Sequence, residues 1–390
     1  MSHELIGRSP DLRRLRNEGY GVSVVDGALV VAPVPFLDAD GAVQEGALVC
    51  DLDLSGDRTS KPGSHVAYFA GGTPHDASGG RLAGIINGDR VEQKGGRTTS
   101  HLLSSKPGPA GYPDYHSKVT TYATAISSHA EAVDDTATAR CFPPMAADEG
   151  SGPFAYVDTA SSRAGVDTAQ FRSLSIAIIG LGGTGVYVLD STSKTPVAKI
   201  GLYDGGLLLQ HNAFRAPGVV TFEQLTAAKN KAEHWAEVYG EFHTGIVAYP
   251  YRIDQDNVQE LDGYDFVFIC VDDNEARHLI AKQLVAAGVA FIDTGLGLYR
   301  TDDQQLGGLI RTTTGTPARH DHLADRLPHG APDDDPEYTT NIQIAELNAL
   351  NAVLAVIRWK KTLGFYADQE HEHHSCYTIT GNVIINEELD

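Results

Sequence analysis

The 390-residue sequence predicts an α/β fold: a Rossmann-like, mostly parallel sheet with helices on both faces, preceded by a smaller α+β domain. Three observations predict it. Ser175–Ile179 ends in an apolar run without polar alternation, the pattern of a strand buried on both faces, and Gly180, Gly182, Gly183 and Gly185 follow at once. Beyond residue 155 strand and helix patterns alternate, as in a parallel sheet covered by helices. Before residue 155, strand-like pieces come at hairpin spacing instead. The boundary therefore falls at about residue 155, with 1–155 as one domain and 156–390 as the other.

Taken in order, residues 9–18 predict a short helix with Pro10 in its first turn and Gly19 beyond its end. Tyr20–Val25, Ala28–Ala32, Ala47–Leu54 and His65–Ala70 predict strands joined by Asp-Gly, Pro and Gly-Gly turns, and Asp114–Ala132 predicts a helix. The Pro- and Gly-rich stretch 134–153 is expected to be a linker. His65, His75, His101, Lys106, Tyr115 and His116 are polar candidates in this half, but no nucleophile–base spacing connects them. Further strands are expected at Ser175–Ile179, Lys199–Tyr203, Gly245–Tyr251, Phe266–Val271 and Ala290–Asp293, and a last one at Tyr377–Asn386. Helices are expected at Thr184–Ser193, Thr226–Gly240, Glu275–Ala287 and Asn341–Leu363. The last carries Ile344, Leu347, Leu350, Leu354 and Ile357 on one side, a core or dimer face. Thr312–Thr340, rich in Pro, Gly, Asp and His, reads as a long surface excursion.

Composition excludes some roles. With 51 acidic against 30 basic residues the formal net charge is −21, which repels nucleic acids and anionic membranes. No run approaches the roughly 20 apolar residues of a membrane span, and the N-terminus has no signal-peptide pattern. Cys50, Cys141, Cys270 and Cys376 form no CxxC pair, which points to the cytoplasm and away from a zinc ribbon.

A strand, a glycine turn and a helix N-terminus make a phosphate cradle. Asp204 follows Gly185 by 19 residues at the end of the second strand, where a carboxylate meets ribose hydroxyls. Asn212 and Arg215 lie eight and eleven residues beyond it, Lys231 opens a helix, and Asp272 ends a strand with Arg277 five residues on. All fall at the C-terminal ends of strands, the edge where open α/β sheets bind ligands. A dinucleotide with two phosphates does not call for an Arg, a Lys and a metal-binding Asp together. A triphosphate with Mg²⁺ does, since Arg and Lys neutralise the leaving pyrophosphate and Asp holds a hard cation.

Gly-Leu-Gly-Gly-Thr-Gly, Asp-x7-Asn-x2-Arg, Lys-Ala and Asp-x4-Arg, in that order, resemble the ThiF/MoeB/ubiquitin-activating-enzyme (E1-like) superfamily over about residues 160–385. Bacterial members with a different N-terminal domain are the most similar in layout. The resemblance implies ATP- and Mg²⁺-dependent adenylation of the C-terminal glycine of a ubiquitin-like or sulfur-carrier protein, releasing pyrophosphate, by a homodimer. A conjugating-enzyme-like protein is a further implied partner. Residue by residue, Gly180, Gly182, Gly183 and Gly185 would shape the ATP pocket, and Asp204 would meet the ribose. Asn212 and Arg215 would hold phosphates beside Lys231, with Lys229 as the alternative lysine. Asp272 would bind Mg²⁺, and Arg163 would reach the neighbouring subunit's phosphates. The usual Asp-x-Asp of the second strand is Asp204-Gly205-Gly206 here, the paired CxxC ligands are missing, and Thr312–Thr340 holds no cysteine to carry a thioester.

Cys376 is the only late thiol, in His371-Glu-His373-His374-Ser-Cys376. An acceptor thiol activated by histidine, a His/Cys metal site and a polar turn into packing are the three readings of this segment. His320 and His322 read as loop residues, and Cys270 as core. An NAD-dependent oxidoreductase and a non-catalytic scaffold retaining the fold are the alternatives to the adenylating enzyme.

Overall fold

The structure, a computed structural model, describes residues 2–144, 146–147, 152–157, 168–328 and 342–386. Its contacts divide the chain into two compact units, residues 1–151 with 156–165 and residues 152–155 with 166–390.

The first unit begins with helices α1 (Ser2–Arg8) and α2 (Pro10–Asn17). Its strands are β1 (Val22–Val25), β2 (Ala28–Leu37), β3 (Val43–Asp51), the two-residue β4 (Leu54–Ser55) and β5 (Arg58–Thr59), β6 (Val66–Ala70), β7 (Ile86–Lys94) and β8 (Arg97–Ser104). Six of them form an antiparallel sheet in the order β1-β2-β3-β6-β8-β7. Asp26-Gly27 and Gly95-Gly96, all at positive φ, close two-residue hairpins between β1 and β2 and between β7 and β8. The hairpin β7–β8 is not anticipated by the sequence, because β7 is an edge strand whose residues are mostly exposed.

Helix α3 (Tyr115–Glu131) lies on this sheet, capped by Asp114, whose carboxylate accepts from the Ser117 N–H at 2.7 Å. It buries Tyr115, Val119, Tyr122, Ala123 and Ile126. Several polar candidates of this half are engaged locally. The Tyr115 hydroxyl donates to the Asp51 carbonyl, His101 meets Asp89 at 2.7 Å, and His116 meets Glu18 at 2.9 Å.

The second unit contains β9 (Ser175–Ile179), α4 (Gly183–Thr192), β10 (Lys199–Tyr203), α5 (Gln210–Ala213), α6 (Phe222–Ala227), α7 (Lys231–Gly240), β11 (Ile246–Tyr249) and β12 (Phe266–Ile269). It continues with α8 (Asn274–Ala287), β13 (Ala290–Arg300), β14 (Leu306–Gly315), α9 (Leu323–Arg326), α10 (Ala345–Thr362), β15 (His374–Thr378) and β16 (Val383–Asn386). One eight-stranded sheet runs β11-β10-β9-β12-β13-β14-β15-β16. The first five strands are parallel and the rest pair antiparallel. β9 explains its own sequence: Ile176 and Ile178 enter one core with α4, α7 and α10, while Ala177 and Ile179 enter the other with α8.

Four expectations are corrected. The single helix over Thr226–Gly240 is two, because Ala228 adopts a left-handed conformation and Asn230 caps α7 through the N–H groups of Ala232 and Glu233. Thr312–Thr340 is not all excursion: Thr312, Thr313 and Thr314 are buried in β14, Leu323–Arg326 is helical, and 329–341 lie outside the described residues. The last strand is a hairpin, β15–β16, turning through Asn382 at φ 50°.

The fourth correction concerns the apolar stripe expected on α10, which is not the buried one. Asn348, Asn351, Ala352, Ala355, Val356, Arg358 and Trp359 are buried, whereas Ile357 is exposed. Small residues are needed on that face because α10 approaches α4 so closely that a Cβ on Gly183 would lie 2.4 Å from the Asn348 side chain. Trp359 closes the core against Phe171, Phe266 and Phe268.

The C-terminal end of α10 is tied to the following segment by charge. Arg358 Nη1 donates to Asp368 at 2.7 Å and to Glu372 at 3.3 Å, and Lys361 donates to Glu372 at 2.8 Å. Burial alone would raise the Asp368 pKa, but the Arg358 hydrogen bond and charge, with the His371 N–H and Lys361, outweigh it and hold the group below its ordinary value. A depressed folded pKa means stability present above the unfolded value of about 3.9 and lost as pH falls through the folded one. Asp368→Asn is expected to flatten the decline of Tm below about pH 4. An unchanged acid limb in thermal melts would contradict this.

Candidate functional site

The site is built where β9, β10 and β12 end. Gly180 sits at φ 87°, and a Cβ there would lie 2.6 Å from the Cys270 carbonyl oxygen. A Cβ on Gly185 would lie 1.9 Å from the Gly180 carbonyl oxygen, so this turn closes only on glycine. Gly182, which precedes the first residue of α4, differs: nothing lies within 4 Å of its Cβ position. The backbone is bare there and faces open space at a helix N-terminus.

Asp204 leaves β10 and turns back to this loop. Its Oδ2 accepts from the Leu181 N–H at 2.7 Å and meets Lys231 Nζ at 2.8 Å, while Oδ1 accepts from the Gly206 N–H at 2.7 Å. A Cβ on Gly206 would lie 2.8 Å from Lys231 Cε, so the missing side chain is what lets the lysine lie across. Both members of the pair are largely buried. Lys229 instead points to Glu237 at 2.7 Å on an exposed surface. Of the two candidate lysines, only Lys231 is paired with Asp204.

Asn212 is buried, and its Oδ1 accepts from the Leu209 N–H, closing the short α5. Arg215 follows. Its Nε is buried and has no hydrogen-bond partner among the described residues. Burial lowers its pKa, and the nearby charge of Asp272 opposes that shift. Asp272 is exposed in the turn after β12, while Asp273 beside it is spent on capping α8 through the Glu275 and Ala276 N–H groups. Thus Asp204 and Lys231 lie at the end of β10 and Asp272 two strands away at the end of β12, about 10 Å across the sheet, with Arg215, beyond α5, within electrostatic reach of Asp272. Arg163 lies outside the described residues.

Sequence reasoning did not find a buried triad next to this edge. Asp293, fully buried, accepts from Arg277 Nε at 2.7 Å and from Arg311 Nη2 at 2.5 Å. Arg277 also donates to the Val271 carbonyl at 2.5 Å and to Asn274, which fixes the turn carrying Asp272. The sequence signal is a lone acid at the end of an apolar run; the β13–β14 register brings Arg311 beside it, and α8 brings Arg277.

Of the later candidates, His374 and Cys376 lie on β15 with Sγ 3.3 Å from Nε2. His371 is exposed beside Asp368, His320 is exposed and His322 buried. Among the described residues no three His, Cys, Asp or Glu side chains are grouped to hold a metal ion. Burial pushes the Cys270 thiol up to about 12, as suits a core residue.

A mixed α/β sheet with a glycine turn open to solvent at a helix N-terminus defines a nucleotide-binding class of domain. The chain belongs to the ThiF family, which it matches over residues 159–376; residues 10–159 match a domain of unknown function, DUF6791. No curated protein matches the chain. Similar solved structures include E. coli MccB with MccA-N7isoASN, at 15% identity and TM-score 0.46. PaaA, at 16% and 0.45, and E. coli MccB with ATP, at 16% and 0.44, are two others. Each alignment covers 56% of this chain and 65% of the other, so the chain spans just under two thirds of the proteins it matches.

Removing the carboxylate charge of Asp293 leaves two buried guanidinium groups uncompensated. Asp293→Asn is expected to cost about 3–5 kcal/mol in urea unfolding. A loss below about 1 kcal/mol would show that the triad is not a structural tie.

Proposed function

We propose that the second unit adenylates the C-terminal carboxylate of a small protein or peptide, the terminal glycine of a ubiquitin-like or sulfur-carrier protein being the preferred substrate. The observation that carries this reading is Arg215: a half-buried guanidinium whose Nε has no hydrogen-bond partner among the described residues, near enough to the exposed Asp272 to feel its charge. A phosphate group supplies the acceptor that Arg215 lacks. The printed names of similar structures include a MccB complex with ATP and others with MccA, which agree with a nucleotide and a peptide substrate.

The roles follow from the donors available. Gly182 leaves room for phosphate against the backbone of the turn, with Gly180, Gly183 and Gly185 holding that turn in place. Of the four acceptor positions of Asp204, the Leu181, Gly206 and Lys231 contacts use three, leaving one on Oδ1 for a ribose hydroxyl. Asn212, its oxygen spent on the α5 cap, offers Nδ2 to phosphate. Lys231 and Arg215 stabilise negative charge on the phosphates, and Arg163 is assigned the same task across a homodimer. Asp272 suits Mg²⁺, which takes one or two carboxylates together with substrate phosphates and neutralises the departing pyrophosphate.

A carboxylate is a poor acyl donor because its leaving group would be oxide. Attack of a carboxylate oxygen on the α-phosphorus breaks the bond to the β-phosphate, and the product leaves AMP as the later leaving group. The chain needs only to align the attack and stabilise charge. The exposed Val353 and Ile357 on α10 support a homodimer. The four cysteines are all free thiols, which supports the cytoplasm. Among the described residues no helix is long and apolar enough to cross a membrane. A conjugating-enzyme-like protein is the proposed downstream partner.

The test is ATP–pyrophosphate exchange in the presence of glycine-terminated ubiquitin-like proteins. Asp272→Ala is expected to lower exchange by at least about 100-fold, with an unchanged circular dichroism spectrum. Full exchange in that variant, or a nicotinamide-dependent absorbance change from the wild type, would contradict the assignment.

A further inference from the structure

The glycine turn and the first turn of α4 are held by side chains at two points. One is Leu181, whose N–H donates to Asp204. The other is met by Asn348 of α10, which is 1% exposed and lies outside the apolar stripe that the sequence marks on this helix.

The Asn348 amide is oriented by its own helix. Nδ2 donates to the Ile344 carbonyl at 3.0 Å, which leaves Oδ1 to accept from the Thr184 hydroxyl at 2.9 Å. A Cβ on Gly183 would lie within 2.6 Å of Cγ, Nδ2 and Oδ1 alike, so the amide lies face-on against the bare Gly183 Cα. Asn348 therefore meets the first two residues of α4. One turn further along, α10 is itself fixed to the sheet: the buried Asn351 donates from Nδ2 to the Gly295 carbonyl at 3.2 Å.

Packing alone does not call for polar groups at this contact. A buried amide and hydroxyl gain little net stability by meeting, and an apolar pair of the same shape would join the helices as well. Asn is also a poor helix former. What the polar pair adds is one fixed geometry, because the hydrogen bond is directional and either partner alone is left unsatisfied. The helix start fixed in this way has no side-chain cap. Gly182, at the N-cap position, has nothing within 4 Å of its Cβ position, so the first N–H groups of α4 are not spent on a capping side chain.

We propose that Asn348 is a positioning residue for the nucleotide: it sets the first turn of α4 so that the uncapped N–H groups meet a phosphate. This rests on the adenylation reading above. Asn348 touches neither the phosphate nor a reacting atom and acts through Gly183 and Thr184. Loosening it shifts the phosphate-binding backbone and leaves the Asp204 end of the site, assigned to the ribose, in place. Its signature is a loss of affinity for ligands that carry phosphate and none for the nucleoside.

The experiment is titration calorimetry in Mg²⁺ on the full chain, comparing ATP with adenosine for the wild type, Asn348→Ala, Thr184→Val and the double variant. Each single substitution is expected to weaken ATP binding roughly tenfold and to leave adenosine unchanged. The double variant should lose no more than either single one, because both remove the same link. Thr184→Ser, which keeps the hydroxyl, should restore most of the affinity lost in Thr184→Val. Thr184 is half-buried and Val is close to it in shape, so this variant tests the link even where Asn348→Ala lowers stability. In pyrophosphate exchange the single variants should raise the KM for ATP about tenfold and change kcat by less than about twofold.

Unchanged ATP affinity in both single variants overturns the proposal. So does an equal loss of ATP and adenosine affinity, the mark of a structural residue. A double variant weakened about a hundredfold also overturns it, since the two side chains would then act independently. The adenylation reading fails separately, if the wild type binds ATP and supports no pyrophosphate exchange; the affinities then still decide the role of Asn348. A wild type that binds no ATP overturns both.

Discussion

The Asp204 carboxylate joins three segments far apart in the chain: the glycine turn through Leu181, the stretch after β10 through Gly206, and the start of α7 through Lys231. It is largely buried, so each contact is made at low dielectric, where a charge without partners would be expensive. The constraint runs both ways. The carboxylate holds the turn in the shape that exposes Gly182, and the turn supplies the N–H that keeps the carboxylate in place. The absence of a second acid after Asp204, where Gly205-Gly206 stands, has a local cause: Gly206 makes room for the lysine stem.

A second buried charge group performs the corresponding task three strands over, on β13. Arg277 and Arg311 meet on Asp293, and Arg277 also holds the carbonyl of Val271. The parallel half of the sheet, which carries the candidate site, is thereby bonded to the antiparallel half, which carries His374 and Cys376. Two regions that would otherwise be coupled only by strand pairing share one electrostatic network.

The fold class was legible wherever both faces of an element are buried. Ile176–Ile179 and Phe266–Ile269 are apolar throughout because each faces two cores. Legibility failed where burial and polarity part. β7 is a polar edge strand, and Thr312–Thr314 are polar residues buried in a strand, so the first was passed over and the second read as loop. On α10 the periodic leucines marked one face and close approach to α4 selected another, made of Asn and Ala. At the candidate site, counting residues from strand ends located Asp204, Arg215 and Asp272 along the ligand edge. The choice between Lys229 and Lys231 needed the break at Ala228 and the cap at Asn230, and the Asp293 triad needed strand register. Neither is encoded in local spacing.

The proposed adenylation turns on a phosphate meeting the half-buried Arg215, whose Nε has no hydrogen-bond partner among the described residues. Titration calorimetry in Mg²⁺ tests it directly by comparing ATP with adenosine on the wild type and on Arg215→Ala. The account predicts stoichiometric ATP binding that weakens by at least about tenfold in the variant, a loss of about 1.4 kcal/mol or more, while adenosine binding is unchanged. Equal ATP affinity in the two proteins, or preferential binding of NAD⁺ by the wild type, would contradict it.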